Sequence, residues 1–207
     1  ADRVDDKEVR ARFLKEAQLC MMLRSSNIVT VFDVGEAPDG TCYIVMEWVE
    51  GLDLSTLCKR MWEKGESLSE CEIAYVIGEV LKGLMHAHEL VSEDRKFSVI
   101  HRDVSPQNII ISSRGEVKLL DFGVARISCE ETTSPLTAKG KIRYMPPEQL
   151  RGNSRHPTLD IFPVGAILHE LLDRRKFRVD AVDDAQLFGF SIAGIVPSLS
   201  DNAIASS

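Results

Sequence analysis

The sequence predicts an α+β fold, with a helix and a strand hairpin first and mainly helices, interrupted by short strands, after them. Three observations carry that expectation. One helix and one strand hairpin fill the first fifty residues, a strongly periodic helix opens at Ser69 on its own capping signal, and the run from Ile161 to Leu172 is apolar on nearly every face.

From Asp5 to Arg24 good helix formers predominate, and Val9, Phe13, Ala17 and Cys20 or Met21 recur at helical spacing, which predicts one amphipathic helix. Two strand-like runs follow, Ile28 to Val34 and Cys42 to Trp48. The segment between them, Gly35 to Gly40, holds Pro38 and Asp39-Gly40, so the pair is expected as an antiparallel hairpin. Ser69 with Glu72 three residues later forms a capping box. The helix it opens buries Ile73, Val76, Ile77, Val80, Leu81, Leu84 and Ala87, which keep the 3.6-residue period. A polar loop, Ser92 to Lys96, leads to two short strands, Asn108 to Ile111 and Val117 to Leu120. The stretch from Ser128 to Lys141 has no periodicity and reads as a long exposed loop. The helix from Ile161 to Leu172 belongs at the centre of a lobe, with Asp160 as its N-cap and Pro163 early enough to be tolerated. Past Asp173 the signal fades, with one more helix expected around Asp184 to Ile195.

With 44% hydrophobic and 28% charged residues, the composition is that of a globular protein. A net charge of −7, with no Lys/Arg run interleaved with aromatics, gives nucleic-acid binding little electrostatic support. The cysteines, Cys20, Cys42, Cys58, Cys71 and Cys129, are odd in number and contain no C-x-x-C pair. They argue against a disulfide framework or a zinc site and for a reducing cytoplasm. No apolar run approaches the ~18 residues of a membrane span. The charged opening, Ala1 to Arg12, is no signal peptide, and a start without Met inside a helix-like segment predicts a piece of a longer chain.

The strongest local signal is His101-Arg102-Asp103-Val104-Ser105-Pro106-Gln107-Asn108, placed between a helix and a strand, with Asp121-Phe122-Gly123 at the end of the second strand. At about 5% usage per residue type, four fixed positions match at a given start about once in 160,000 by chance. Further matches follow in order. They are Tyr144-Met145-Pro146-Pro147-Glu148, Asp160-Ile161-Phe162-Pro163-Val164-Gly165 and, upstream, Glu47-Trp48-Val49-Glu50-Gly51.

This order resembles the catalytic domain of eukaryotic-type (Hanks-type) protein serine/threonine kinases, from roughly Phe13 to Leu172. The form of the catalytic loop is similar to bacterial, especially myxobacterial, members. The resemblance implies a protein-kinase-like fold whose small lobe is incomplete and whose large lobe lacks its last helices. Residues 1–49 would form the partial small lobe, 50–196 the partial large lobe and 197–207 a disordered tail.

The resemblance also assigns roles. Asp103 would orient the attacking hydroxyl and take its proton, and Asn108 and Asp121 would ligate Mg2+ beneath the phosphates of ATP. Glu16 would ion-pair with the phosphate-binding lysine. Met46 would be the gatekeeper, main-chain groups of Glu47 and Val49 would bond the adenine edge, Asp53 would lie near the ribose, and Ile110 would floor the adenine pocket. Arg102 would be neutralised by a phosphorylated residue of the activation loop, with Thr132, Thr133, Ser134 and Thr137 as candidates. The partner would be a protein presenting a Ser or Thr hydroxyl. His101 is expected to brace the loop, Asp160 to fix its backbone as well as cap a helix, and His86 and His88 to be packing or surface residues.

The sequence departs from the family pattern in several places. No Gly-x-Gly-x-x-Gly and no Val-Ala-x-Lys precede the first helix, so this stretch alone is expected to be nearly inactive. The arginine that pairs with the Glu148-type carboxylate is not found, and the central helix is expected to leave apolar surface uncovered, making the fragment marginally stable. Ser105 stands where such kinases carry a lysine, and Lys141 stands where they carry a threonine, so Lys141 is a candidate substitute for the missing cation. The rival readings are a non-catalytic module of kinase shape and a small-molecule phosphotransferase. The second would usually lack Arg102, the Asp-Phe-Gly triplet and the Pro-Pro-Glu closure.

Overall fold

The computed structural model describes residues 14, 17–92, 95–96, 98–122, 142–152 and 156–200. Of the predicted first helix, residues 17–20 are helical and the chain turns at 21–22, so the helix ends at Cys20, short of Arg24. Its buried residues, Ala17 and Cys20, are those of the expected stripe.

The hairpin forms as expected, from β1 (Val31–Glu36) and β2 (Cys42–Met46), with Val34 opposite Ile44. The turn closes through Thr41 N–H, which donates to Asp39 Oδ1 at 2.9 Å and holds that carboxyl below its usual range. β2 ends at Met46, short of Trp48, and β1 is shifted along the chain, starting later and ending at Glu36. Ile28 and Val29 leave the hairpin to pair with the large lobe, Val29 N–H donating to the Leu119 carbonyl at 2.9 Å and Leu119 N–H to the Asn27 carbonyl at 2.8 Å. β1 therefore starts at Val31.

Gly51 opens a strand that sequence periodicity did not reveal, β3 (Gly51–Asp53), too short to show alternation. β3 joins β6 (Ile109–Ser112) and β7 (Val117–Leu119) in an antiparallel three-stranded sheet with order β3-β6-β7. A Cβ at Gly51 would lie 2.2 Å from the Ile111 carbonyl oxygen, so only glycine lets the strand leave the hinge at this spacing. Asp53 then caps α1 (Leu54–Glu63), its Oδ1 accepting from Thr56 N–H at 2.9 Å.

α2 (Glu70–His88) carries the capping box read from the sequence. Glu72 N–H donates to Ser69 Oγ and Ser69 N–H to Glu72 Oε2. Its buried stripe is the predicted one except for Leu81, which is exposed. The expected polar loop after it contains a small hairpin, β4 (Val91–Ser92) with β5 (Arg95–Lys96). Beyond a 3-10 turn at Ile142–Tyr144 come α3 (Pro147–Leu150), α4 (Ile161–Asp173) and α5 (Asp184–Ala193). The predicted loop from Ser128 to Lys141 lies outside the described residues.

α4 buries Val164, Ala166, Ile167, Glu170 and Leu171 against α2 and the loop segments, while Ile161 stays half exposed. This matches an apolar central helix with one open side. The start of the expected tail departs from its reading, because Ser200 N–H donates to Asp173 Oδ1 at 2.7 Å and His169 Nε2 bonds the Pro197 carbonyl at 2.9 Å. Cys20, Cys42, Cys58 and Cys71 are free thiols, and among the described residues no helix is long and apolar enough to cross a membrane.

A second tie crosses the lobe junction. Lys118 of β7, 9% exposed, donates from Nζ to Glu47 Oε1 at 2.7 Å, while Thr30 N–H reaches Glu47 Oε2 at 3.2 Å. Burial pushes the Glu47 carboxyl up, but the bonds from Lys118 and Thr30 outweigh it and hold the group below its ordinary 4.5. A depressed carboxyl contributes stability above its unfolded pKa and loses it as pH falls through the folded value. Glu47→Gln is accordingly expected to be less stable than the parent at pH 7 in urea denaturation, and the gap to close below about pH 4. A gap unchanged at pH 3 would contradict the pairing.

Candidate functional site

The catalytic-loop motif lies between α2 and β6, and a buried carboxylate from a distant part of the chain holds it in place. Asp160, fully buried at the start of α4, accepts from His101 N–H (2.8 Å, Oδ2), from Arg102 N–H (2.7 Å, Oδ1) and from His88 Nε2 (2.7 Å, Oδ2). An ionised carboxylate that gives up water needs such partners, since an unpaired one would cost several kcal/mol. Asp160 occupies the N-cap position, yet its side chain makes no capping bond. The expected capping role is corrected on this point, because both oxygens are spent on the loop. His88 is corrected too: read as a packing or surface histidine, it is the third donor to Asp160.

Arg102 sits at φ +63°, a left-handed conformation that an arginine adopts only when its surroundings impose it. Its N–H is held by Asp160, and its carbonyl accepts from Gln149 Nε2 at 2.9 Å. The loop is thereby clamped from α4 on one side and α3 on the other.

His101 is fully buried and braces the loop as expected. Its Nε2–H donates to the Leu120 carbonyl at 2.7 Å, which leaves Nδ1 to accept from Asp103 N–H at 3.3 Å. Its ring packs 4.5 Å from that of Phe122, and the Phe122 carbonyl accepts from Cys20 Sγ at 3.5 Å. One stack thus runs from the first helix through Phe122 and His101 to Asp160.

The reactive groups stand on this frame. Asp103 is half-buried, and Asn108 Nδ2 donates both to its carbonyl (2.8 Å) and to its Oδ2 (3.0 Å). The amide nitrogen of Asn108 is occupied in this way, so its Oδ1 would be the atom left to act as a hard ligand. Asp121 is exposed, with φ +55°. Among the described residues no group of three or more His, Cys, Asp or Glu could hold a metal. One amide oxygen and one carboxylate suit Mg2+, which takes few protein ligands and completes its shell with phosphate oxygens and water.

The residues expected around a nucleotide are placed as follows. Met46 lines a small cavity with Cys20, Val31, Leu119, Asp121 and Phe122, and Ile110 pairs in register with Asp53 across β3 and β6. Glu47 N–H donates to the Thr30 carbonyl at 2.8 Å, so of its main-chain groups only the carbonyl remains for an adenine. Val49 is half-buried next to it, and Asp53 has one oxygen engaged as the α1 cap. Ser105 is buried and its Oγ has no hydrogen-bond partner among the described residues; a hydroxyl at this place brings no positive charge to a phosphate. Glu16, Thr132, Thr133, Ser134, Thr137 and Lys141 lie outside the described residues.

A network below the loop has no counterpart among the sequence signals. Tyr144 O–H and Phe177 N–H both donate to the buried Glu170 carboxylate, at 2.6 and 2.9 Å, and burial beside that carboxylate pushes the Tyr144 hydroxyl far up. Arg178, almost wholly buried, donates to the carbonyls of Arg143 and Ile195 and to Ser191 Oγ. Burial, and then the Arg143 charge, lower its pKa to about 10. Partners that are main-chain carbonyls and residues tens of positions away leave no local pattern.

The family model for the protein kinase domain matches residues 1–189. A serine/threonine-protein kinase pkn3 of Myxococcus xanthus is 36% identical over 178 residues, 82% of this chain and 30% of the relative. PrkC of Bacillus subtilis, also named a serine/threonine-protein kinase, is 35% identical over 175 residues, 84% of this chain and 25% of the relative. MasK of Myxococcus xanthus, named a tyrosine-protein kinase, is 37% identical over 162 residues, 77% of this chain and 25% of the relative. The chain therefore spans between a quarter and a third of the length of these relatives.

His88→Ala is expected to cost about 1–3 kcal/mol, the value of a hydrogen bond to a buried charge. His86→Ala, two residues away on the same helix, should stay within about 0.5 kcal/mol. Thermal unfolding monitored by circular dichroism separates the two, and equal losses would contradict the assigned bond.

Proposed function

Because the chain belongs to the protein kinase domain family, we propose that it transfers the γ-phosphoryl group of ATP, held with Mg2+, to a Ser or Thr hydroxyl of a protein substrate. The observation that carries this reading is the Asp103–Asn108 pair on a loop fixed by Asp160. A module kept only for binding would have no use for a carboxylate and an amide oriented against each other at this spacing.

In the proposed reaction the acceptor oxygen forms a bond to the γ-phosphorus, the bond from that phosphorus to the β–γ bridging oxygen breaks, and ADP leaves with that oxygen. Asp103 aims the hydroxyl and receives its proton as the new bond forms. Asn108 holds the Asp103 carboxylate by the 3.0 Å bond from Nδ2 and offers Oδ1 to the metal, with Asp121 as the second protein ligand. Bound Mg2+ supplies charge neutralisation on the phosphates. Met46, the Glu47 carbonyl, Val49, Asp53 and Ile110 would receive the nucleoside, and Glu16 would pair with a lysine that holds the phosphates. Arg102 would meet a phosphorylated Thr132, Thr133, Ser134 or Thr137.

Ser105 provides no cation beside the transferred group, so Lys141 is proposed to provide it. The acceptor is proposed as Ser or Thr from the general likeness to serine/threonine kinases, although one similar protein carries the name of a tyrosine kinase.

The test is transfer of radiolabelled phosphate from ATP by the intact protein in the presence of Mg2+, followed by identification of the labelled side chain. Asp103→Asn is expected to lower turnover at least about 100-fold, the usual range for a lost general base. Lys141→Ala should lower it on the order of 100-fold, as for a lost preorganised donor. Incorporation that is unchanged in Asp103→Asn would sink the reading.

A further inference from the structure

A donor-rich cluster stands beside the catalytic loop that the reaction as described does not use. Gln107, exposed and four residues after Asp103, points Nε2 at Ser55 Oγ in the first turn of α1, 3.4 Å away. From the other side Lys176 Nζ lies 3.3 Å from the same oxygen. Lys176 is exposed and ends the basic run Arg174-Arg175-Lys176 that follows α4. Of that run, Arg175 is drawn back onto Asp173 by an ion pair at 2.9 Å, whereas Lys176 is brought forward to the loop.

Two acids act on the Cys58 thiol together with Lys176, Asp53 and Glu170, and each has one oxygen engaged. Asp53 Oδ1 caps α1 through Thr56 N–H, and Glu170 accepts from Tyr144 O–H and Phe177 N–H beneath the surface. The buried Cys58 thiol reports the same convergence. Burial and then Glu170 raise it, Lys176 pulls it down and Asp53 adds a smaller push up, which together leave it at about 12. Among the described residues the bonded partner of Lys176 is thus a neutral hydroxyl, and the ammonium is exposed at the surface. Gln107 offers a second donor there. An ammonium and an amide N–H aimed at one spot suit a carboxylate or phosphate oxygen.

We propose that Lys176, held by Ser55 beside Gln107, selects protein substrates carrying an anionic side chain close to the acceptor hydroxyl. The proposal rests on the kinase reading and goes beyond it by naming a substrate class. An acceptor segment bound in extended form advances ~3.3 Å per residue. A side chain a few residues from the acceptor is thus the one placed to meet a cluster that includes Gln107 of the same loop as Asp103. The anion is either an Asp or Glu carboxylate or the phosphate of an already modified residue.

The experiment measures kcat/KM of the intact protein on a peptide set with one fixed acceptor. Single Glu, phosphoserine, Ala or Arg residues are placed at each of the four positions on either side of it. At one position Glu or phosphoserine is expected to exceed Arg by roughly 3- to 10-fold, the scale of an exposed charge pair assisted by a hydrogen bond. A larger factor for phosphoserine identifies a primed substrate, and equal factors identify a plain acidic one. Lys176→Glu should reverse the order and Lys176→Gln should flatten it. Lys64→Glu, the same charge change at the far end of α1, should leave it as it was. Asp103-dependent transfer that is indifferent to the peptide charge, or that Lys64→Glu shifts as much as Lys176→Glu, overturns the proposal while leaving the kinase reading intact. Absence of any Asp103-dependent transfer overturns the kinase reading and the proposal with it.

Discussion

The fully buried carboxylate of Asp160 is the constraint on which the rest of the site depends. Buried polar oxygens need hydrogen-bond partners, and Asp160 finds them in two consecutive main-chain N–H groups and one imidazole. Two adjacent N–H groups converge on one carboxylate only if the backbone between them bends sharply, and Arg102 at φ +63° is that bend. The cost of the left-handed conformation is offset by the three bonds. The bend sends Asp103 away from the core, where it can meet a substrate, while His101 turns inward.

The same bend connects parts of the molecule that the sequence keeps far apart. His101 reaches the Leu120 carbonyl, just before Asp121, and packs on Phe122, just after it. Asp103 and the chain on either side of Asp121 are thereby held by one imidazole. Phe122 in turn touches Cys20 of the first helix, so displacement of that helix would be felt in the loop through two packed rings. Glu47 with Lys118, and Ile28 with Leu119, keep the small lobe in register with β7, one turn of chain before Asp121.

Much of this was legible in the sequence where the cause is local. The capping box at Ser69, the turn at Asp39-Gly40 and the stripe from Ile73 to Ala87 depend on neighbours within four residues and were found where the structure has them. The catalytic loop was legible because its chemistry needs fixed residue types at fixed spacing. The strand at Gly51 was missed because three residues cannot show a period, and α1 because Asp53 begins it without a capping box. His88 was misread because its partner lies 72 residues away, and a histidine on a helix carries no mark of what faces it. Asp160 was read as a cap and as a brace. Geometry leaves it only the second role, since a carboxylate with both oxygens spent on the loop has none for its own helix.

The most direct measure of this account is amide hydrogen exchange at His101 and Arg102, compared with Val80 in α2, in the parent chain and in Asp160→Ala. Loss of the carboxylate should speed exchange at the two loop amides by at least about 100-fold more than at Val80, as expected when a buried acceptor worth about 3–5 kcal/mol is removed. Equal acceleration at all three positions would mean that Asp160 only stabilises the lobe as a whole, and that something else shapes the loop.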